Sequence, residues 1–319
     1  MESFLIMTRN VILFAALAIP GYLLVRCKIL KHEQSVVLSN LLMYVGMPFL
    51  ILSGTVSNLS FNKELFLQLL AVALIGIACT LSFFILSKPF SSMEKESKAQ
   101  GMMRFCSVFS NNGFLGIPLA VAVFEKDSAI LTVLVILNII TNVLMYTFGT
   151  YLVSGDSRRL NLKKALLNPV LIAFFIGILL NLLNVKRYIP EIVTYSDHFS
   201  GLVTSLSMTI IGMKLATVRL PSLFTAYKNY YVSLIKLVVF PALTIALLLA
   251  CRAILGSMIS NDIIIGFFIA FAMPTAGLAS TFADNLDGDT KNAVAFTLCS
   301  TLFSIITIPL LFWALISII

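Results

Sequence analysis

Apolar residues in this chain run in long unbroken blocks, not in the alternations or one-sided stripes of a water-soluble fold. Stretches without a charged residue occupy 34–62, 65–87, 105–124, 128–155, 165–185, 263–283 and 292–319. About 20 helical residues suffice to cross the hydrocarbon core of a bilayer, so each block predicts a transmembrane helix. Three more spans are expected around 9–26, 198–218 and 230–252, each with a charge inside or close to it. The fold class that follows is an all-α integral membrane protein of ten transmembrane helices. No connection is long enough to house a soluble domain, so whatever the protein does is expected to happen within the membrane.

The polar segment from Ser154 to Arg159 divides the spans five and five. The predicted organisation is a first five-helix repeat over 1–154, a cytoplasmic linker over 155–164 and a second five-helix repeat over 165–319. An odd number of spans per half makes the second half enter the membrane from the opposite side, the inverted repeat common among secondary transporters. Internal similarity supports it. The fourth span contains Ser110 to Pro118 and the ninth contains Ala272 to Gly277. Each is followed by an acidic stretch, Glu125 to Asp127 and Asp284 to Asp289, and then by a long apolar final span.

Composition agrees with the pattern, because 59% of residues are apolar and 11% charged, against roughly 25% charged in soluble domains. The net charge of +8 does not call for a nucleic-acid partner, since the basic residues lie in short loops and form no basic face. Assigned to alternate loops, Arg9, Lys63, Lys126, Lys186, Arg187 and Arg252 fall on one side and fifteen Lys and Arg residues on the other. The positive-inside rule makes the richer side cytoplasmic and puts both termini outside. The first block reads as a span and not a cleaved signal, because Arg26 and Lys28 anchor its far end and no small-residue cleavage site follows. Five cysteines, Cys27, Cys79, Cys106, Cys251 and Cys299, have no metal-ligand spacing. No metal or cofactor is expected.

Chemistry points to two places. Proline in mid-span removes a backbone donor and crowds the preceding turn, and glycine loosens the helix. Gly116, Ile117 and Pro118 in the fourth span and Met273, Pro274 and Thr275 in the ninth therefore predict broken helices. A break frees N–H and C=O groups that must line a cavity or another segment. Two breaks at equivalent positions would cross near the bilayer centre and set half-helix N-termini, with their positive dipole ends, beside a bound anion. Asn111, Asn112 and Gly113, five to seven residues before Pro118, complete the candidate substrate site.

These residues resemble the auxin efflux carrier family, which includes bacterial malonate-type transporters and plant PIN-type auxin exporters. The resemblance covers nearly the whole chain and is carried by Ser110 to Leu119 (SNNGFLGIPL), Asn168 and Pro169, Ile211 to Ala216, and Ala272 to Pro274 with Asp287, Gly288 and Asp289. It implies a scaffold domain from helices 1, 2, 6 and 7 at a homodimer interface, and a mobile transport domain from helices 3–5 and 8–10 with crossed, broken helices four and nine. One departure stands out. Where many relatives have proline in mid-span seven, this chain has Ser205, Leu206, Ser207 and Met208, so the pairing with Pro48 is imperfect.

Secondary candidates are Asn138 and Asn142, one turn apart on span five and expected to pack more than to bind, and Lys236 in span eight. The lysine either snorkels to the cytoplasmic surface or helps to hold an anion, with snorkelling favoured. Asp284 is expected at a solvated loop end. No enzyme signature such as HExxH or GxSxG occurs, so no enzyme is expected. The expected function is secondary transport of a small organic anion, a dicarboxylate or an auxin-like acid, by an elevator-like movement in the cell membrane. The spans 105–124 and 263–283 hold no acid for Na⁺ or H⁺. A sodium-coupled organic anion symporter of the bile-acid type, or a membrane sensor that binds without transporting, are the alternatives.

Overall fold

The computed structural model describes residues 2–58, 63–124, 129–156, 158, 163, 167–217 and 220–319. The acidic stretch Glu125 to Asp127 and most of the 155–164 linker lie outside the described residues. The first apolar block forms α1 (Glu2–Leu17) and α2 (Ile19–Arg26), offset where Pro20 removes a backbone donor. The second forms α3 (Ser35–Leu41) and α4 (Met47–Asn58), and the third the single helix α5 (Lys63–Phe90). The fourth is interrupted between α6 (Ser97–Val108) and α7 (Ile117–Val123); the fifth comprises α8 (Ala129–Leu144) and α9 (Thr150–Ser154).

In the second half, α10 (Pro169–Leu182) and the short α11 (Val185–Tyr188) lead into α12 (Glu191–Ser200) and α13 (Leu202–Leu215). After α14 (Leu220–Leu223) come α15 (Tyr227–Leu234) and α16 (Phe240–Leu255). A second interrupted helix, α17 (Asn261–Ala272) and α18 (Ala279–Asn285), precedes α19 (Thr290–Ile316). The fold is nearly all helix. Among the described residues the single β feature is an isolated antiparallel bridge between Ser110 and Thr275.

Among the described residues, six stretches are long and apolar enough to cross a membrane: Leu5–Arg26, His32–Val56, Leu67–Phe90, Ala129–Ser154, Tyr227–Leu255 and Thr290–Ile316. Asn112–Val123, Pro169–Leu182 and Asn261–Ala272 are apolar but shorter, two of them because they are parts of the interrupted helices. The outward faces carry Val37, Ile85, Phe175 and Ile254, all exposed, which water would not tolerate in such number but lipid does.

Four π-turns widen the described helices, at Leu42–Gly46, Asn112–Gly116, Met145–Gly149 and Ile235–Val239. Three of them end one residue before an X-Pro pair, with Pro48, Pro118 and Pro241 at the second position of the next helix. Proline offers no N–H to the turn behind it and its ring crowds that turn. The wider π-turn relieves both at little cost, so the chain stays helical through Pro118. This corrects the expectation of a backbone broken at Pro118: the fourth helix breaks earlier, at Phe109–Asn111, whereas Pro274 does lie in the break of the ninth.

The helices pack as two groups. In the first, α10 and α12 lie against α4, and α13 against α2 and α3. Glycines permit the close approach: a Cβ on Gly212 would collide with the Ala18 carbonyl, and one on Gly21 with the Thr209 carbonyl. In the second, α8 lies between α5 and α17, and α19 touches α6, α15 and α18. Phe83 and Phe240 stack there at 4.1 Å between ring centroids. The groups meet where α1 touches α7 and α19, and where α13 touches the π-turn at Asn112–Gly116.

Candidate functional site

The two interruptions complete each other's hydrogen bonding. At the end of α6 the backbone turns extended at Phe109, and at the end of α17 it does so at Met273. The Asn111 N–H donates to the Pro274 carbonyl at 2.8 Å, and the Ala276 N–H to the Phe109 carbonyl at 2.9 Å. Thr275 donates its hydroxyl to the Cys106 carbonyl at 2.8 Å, and its N–H donates to Ser300 Oγ at 3.2 Å. Backbone groups released by the breaks are thus satisfied by protein, as a low-dielectric interior requires.

Against this junction lies a half-open cavity of about 480 Å³ of empty space, counted to its mouth. The second group contributes Ser110, Asn111, Gly113, Phe114, Asn138, Thr141, Asn142, Met145, Ala276, Gly277 and Leu278, and the first contributes Met43, Met47, Asn168 and Val170. The cavity therefore sits between the two groups. Three of the four π-turns supply lining residues, through Met43, Gly113 with Phe114, and Met145. None of these lining residues carries a charge.

The orientation of the amides follows from their partners. Asn142 Nδ2 donates to the Asn138 backbone carbonyl at 2.8 Å, an atom that can only accept, so this end of Asn142 is the nitrogen. The same Nδ2 lies 3.2 Å from Asn138 Oδ1, which fixes that atom as the acceptor and leaves Asn138 Nδ2 as the free end. Asn138 is 4% exposed, and its Nδ2 is buried with no hydrogen-bond partner. Ser110 is similar. Lys236 donates to Ser110 Oγ, so the hydroxyl oxygen is occupied as an acceptor and the Ser110 proton is left to be given.

Of the residues singled out from sequence, Asn111, Gly113, Asn138 and Asn142 line the cavity together. Asn112 sits behind the wall, 2% exposed, with Nδ2 donating to Thr141 Oγ1 at 3.2 Å and Oδ1 unpartnered. Gly116, Ile117 and Pro118 continue the helix away from the cavity, and a Cβ on Gly116 would press on Met273 Cγ at 3.1 Å. Met273, Pro274 and Thr275 are in the junction itself. Asp284 is exposed, accepting from Thr290 Oγ1 at 2.6 Å.

Lys236 departs from the favoured reading. It does not snorkel: within the π-turn at Ile235–Val239 it is completely buried and its ammonium is held on Ser110. Sequence reasoning also missed Lys214. Counted among the cytoplasmic loop cations, it lies in the last turn of α13 and donates Nζ to the Gly277 carbonyl at 2.8 Å. A lysine near a helix end gives no sequence signal for such a contact. Asn168, which in the sequence marks only the start of the sixth span, has a definite local role: its Oδ1 caps α10 by accepting from the Val170 N–H at 2.9 Å.

Comparison with known proteins agrees with this architecture. The chain matches the family described as membrane transport protein over residues 5–312. It is 25% identical over 320 residues to an uncharacterized transporter of Methanocaldococcus jannaschii, an alignment covering 96% of this chain and 98% of that one. An uncharacterized transporter of Methanothermobacter thermautotrophicus is 24% identical over 308 residues, covering 95% and 96%. Two full-length relatives and a family match across the apolar blocks bear out the resemblance drawn from Ser110 to Leu119. The chain is a multi-pass membrane protein that belongs to the membrane transport protein family of the auxin efflux carriers.

Proposed function

We propose that this chain is a secondary transporter that carries a small organic anion, a dicarboxylate or an auxin-like acid, across the cell membrane by alternating access. In this reading the ten spans form a five-plus-five inverted repeat with both termini outside. The group holding the crossed interruptions moves in an elevator-like manner against a dimeric scaffold of the first, second, sixth and seventh spans. The substrate occupies the cavity between the groups.

The observation that carries the reading is the free, buried Asn138 Nδ2. A buried donor without an acceptor costs about 1–3 kcal/mol, and an anion entering the cavity removes that cost. The Ser110 hydroxyl, pinned by Lys236, adds a second donor, and a wall without Asp or Glu among the described residues offers an anion no repulsion. Uptake of labelled succinate and benzoate by proteoliposomes, with pH and sodium gradients varied independently, tests it. Uptake that saturates, with an apparent KM raised about ten- to a hundredfold in Asn138→Ala, is the expected result. Absence of carboxylate uptake and binding by the folded protein would refute the anion reading.

A further inference from the structure

Lys214, a cation of the first helix group, reaches the backbone of a residue that lines the cavity. Its ammonium donates to the Gly277 carbonyl at 2.8 Å, and Gly277 lines the cavity in the non-helical segment of the second group. The place where a Gly277 Cβ would stand is 3.5 Å from both side-chain ends of Asn111, so Gly277 adjoins both the ammonium and a lining amide. Among the described residues the ion pairs are His32 with Glu33 and Lys228 with Glu94. Asp284 is exposed and accepts from Thr290, and it is in neither of these ion pairs. Lys214 therefore holds its charge on a neutral carbonyl.

We infer that Lys214 is a further substrate-binding residue: it rests on the Gly277 carbonyl while the cavity is empty and transfers its hydrogen bond to the carboxylate when an anion enters. The exchange is favourable because a carboxylate adds the attraction of opposite charges, which the neutral carbonyl lacks. It also has a mechanical consequence. The Ser53 to Asp197 and Asn181 to Val56 hydrogen bonds stay within the first group, and the Asn112, Thr275 and Lys236 bonds described above stay within the second. The Lys214 to Gly277 bond joins the two. Occupancy would release it, freeing the groups to move only when the site is filled. The inference rests on the anion-carrier reading.

The test uses the full chain in proteoliposomes, with succinate and benzoate as the probes. For Lys214→Gln the expected result is an apparent KM raised about tenfold or more, as loss of a charge-assisted bond requires, with Vmax changed far less. Lys214→Arg should keep KM within about threefold, because the charge and donors remain. Where Lys214→Gln does not reach the membrane, Lys214→Cys treated with 2-aminoethyl methanethiosulfonate, which rebuilds an ammonium, should recover uptake, and the sulfonate reagent should not. If wild type takes up both probes and Lys214→Gln does so with unchanged KM, or if both reagents restore Lys214→Cys equally, this inference fails and the carrier reading stands. If wild type neither binds nor takes up either probe, both fall together.

Discussion

Replacing Asn138 by Asp changes two properties of the site while sparing its shape. The side chains are nearly isosteric, and the Asn142 Nδ2 that lies 3.2 Å from Asn138 Oδ1 still finds an acceptor there. What disappears is the free Nδ2 donor, and what appears is a negative charge facing the bound anion. Loss of a hydrogen bond to a charged acceptor costs about 1.5–3 kcal/mol, or about ten- to a hundredfold in affinity. Two like charges about 4 Å apart at an effective dielectric of about 20 add about 4 kcal/mol. Asn138→Ala should therefore weaken carboxylate binding about ten- to a hundredfold, and Asn138→Asp by a further factor of about a thousand. Asn112→Ala, behind the wall, should lower stability through its lost bond to Thr141 and leave KM near wild type. Saturation uptake and thermal melts of the same preparations give both numbers. A folded Asn138→Asp variant that transports succinate with wild-type KM would show that the anion does not bind at this amide.

Single cysteines in the 155–164 segment should react with a membrane-impermeant maleimide only from the cytoplasm, and those near either terminus only from outside; the opposite labelling would overturn the orientation. Native mass measurement in lipid nanodiscs should show a homodimer, and a protein that remains monomeric in both mild detergent and lipid would remove the scaffold-mediated dimer. Gly212→Val should lower the melting temperature markedly, because its Cβ would strike the Ala18 backbone carbonyl and rigid backbone cannot yield as a side chain does; overpacking of this kind typically costs about 1–3 kcal/mol. A melt unchanged from wild type would show that α2 and α13 are not held in this contact.

Legibility from sequence followed the range of the interactions involved. The membrane class was plain, because a charge-free block such as 128–155 excludes water-soluble packing on length and composition alone. The interruptions were legible only in part. Pro274 marked the ninth break correctly, but Pro118 misled, since the turn that accommodates it lies behind it, whereas the break at Phe109–Asn111 is set by backbone bonds to the distant segment Pro274–Ala276. Asn138 and Asn142 were visible as a pair one turn apart. Their roles were not, because these depend on which amide end the partner occupies. Lys236 and Lys214 were the hardest. Nothing local distinguishes a lysine that reaches lipid headgroups from one turned onto Ser110 or Gly277.

How the packing is distributed bears on the proposed motion. The junction between the interruptions is fastened by two backbone hydrogen bonds and the Thr275 bonds, and moving it as one piece breaks none of them. The face between the groups is built differently. There α1 and α13 meet α7 and α19 across an apolar gap of about 590 Å³ of empty space counted to its open side, lined by Phe14, Leu119, Met208, Ile211, Ile305 and Ile308 among others. Apolar side chains across a gap can slide without leaving a polar group unpaired, because the dispersion attraction given up to one neighbour is regained from the next. Fastened hydrogen bonds cannot do this at comparable cost. A stiff, hydrogen-bonded unit beside a loose, greasy face is the mechanical arrangement that alternating access needs, and it gives the Lys214 to Gly277 bond its leverage: a polar contact across a largely apolar face makes movement depend on what occupies the cavity.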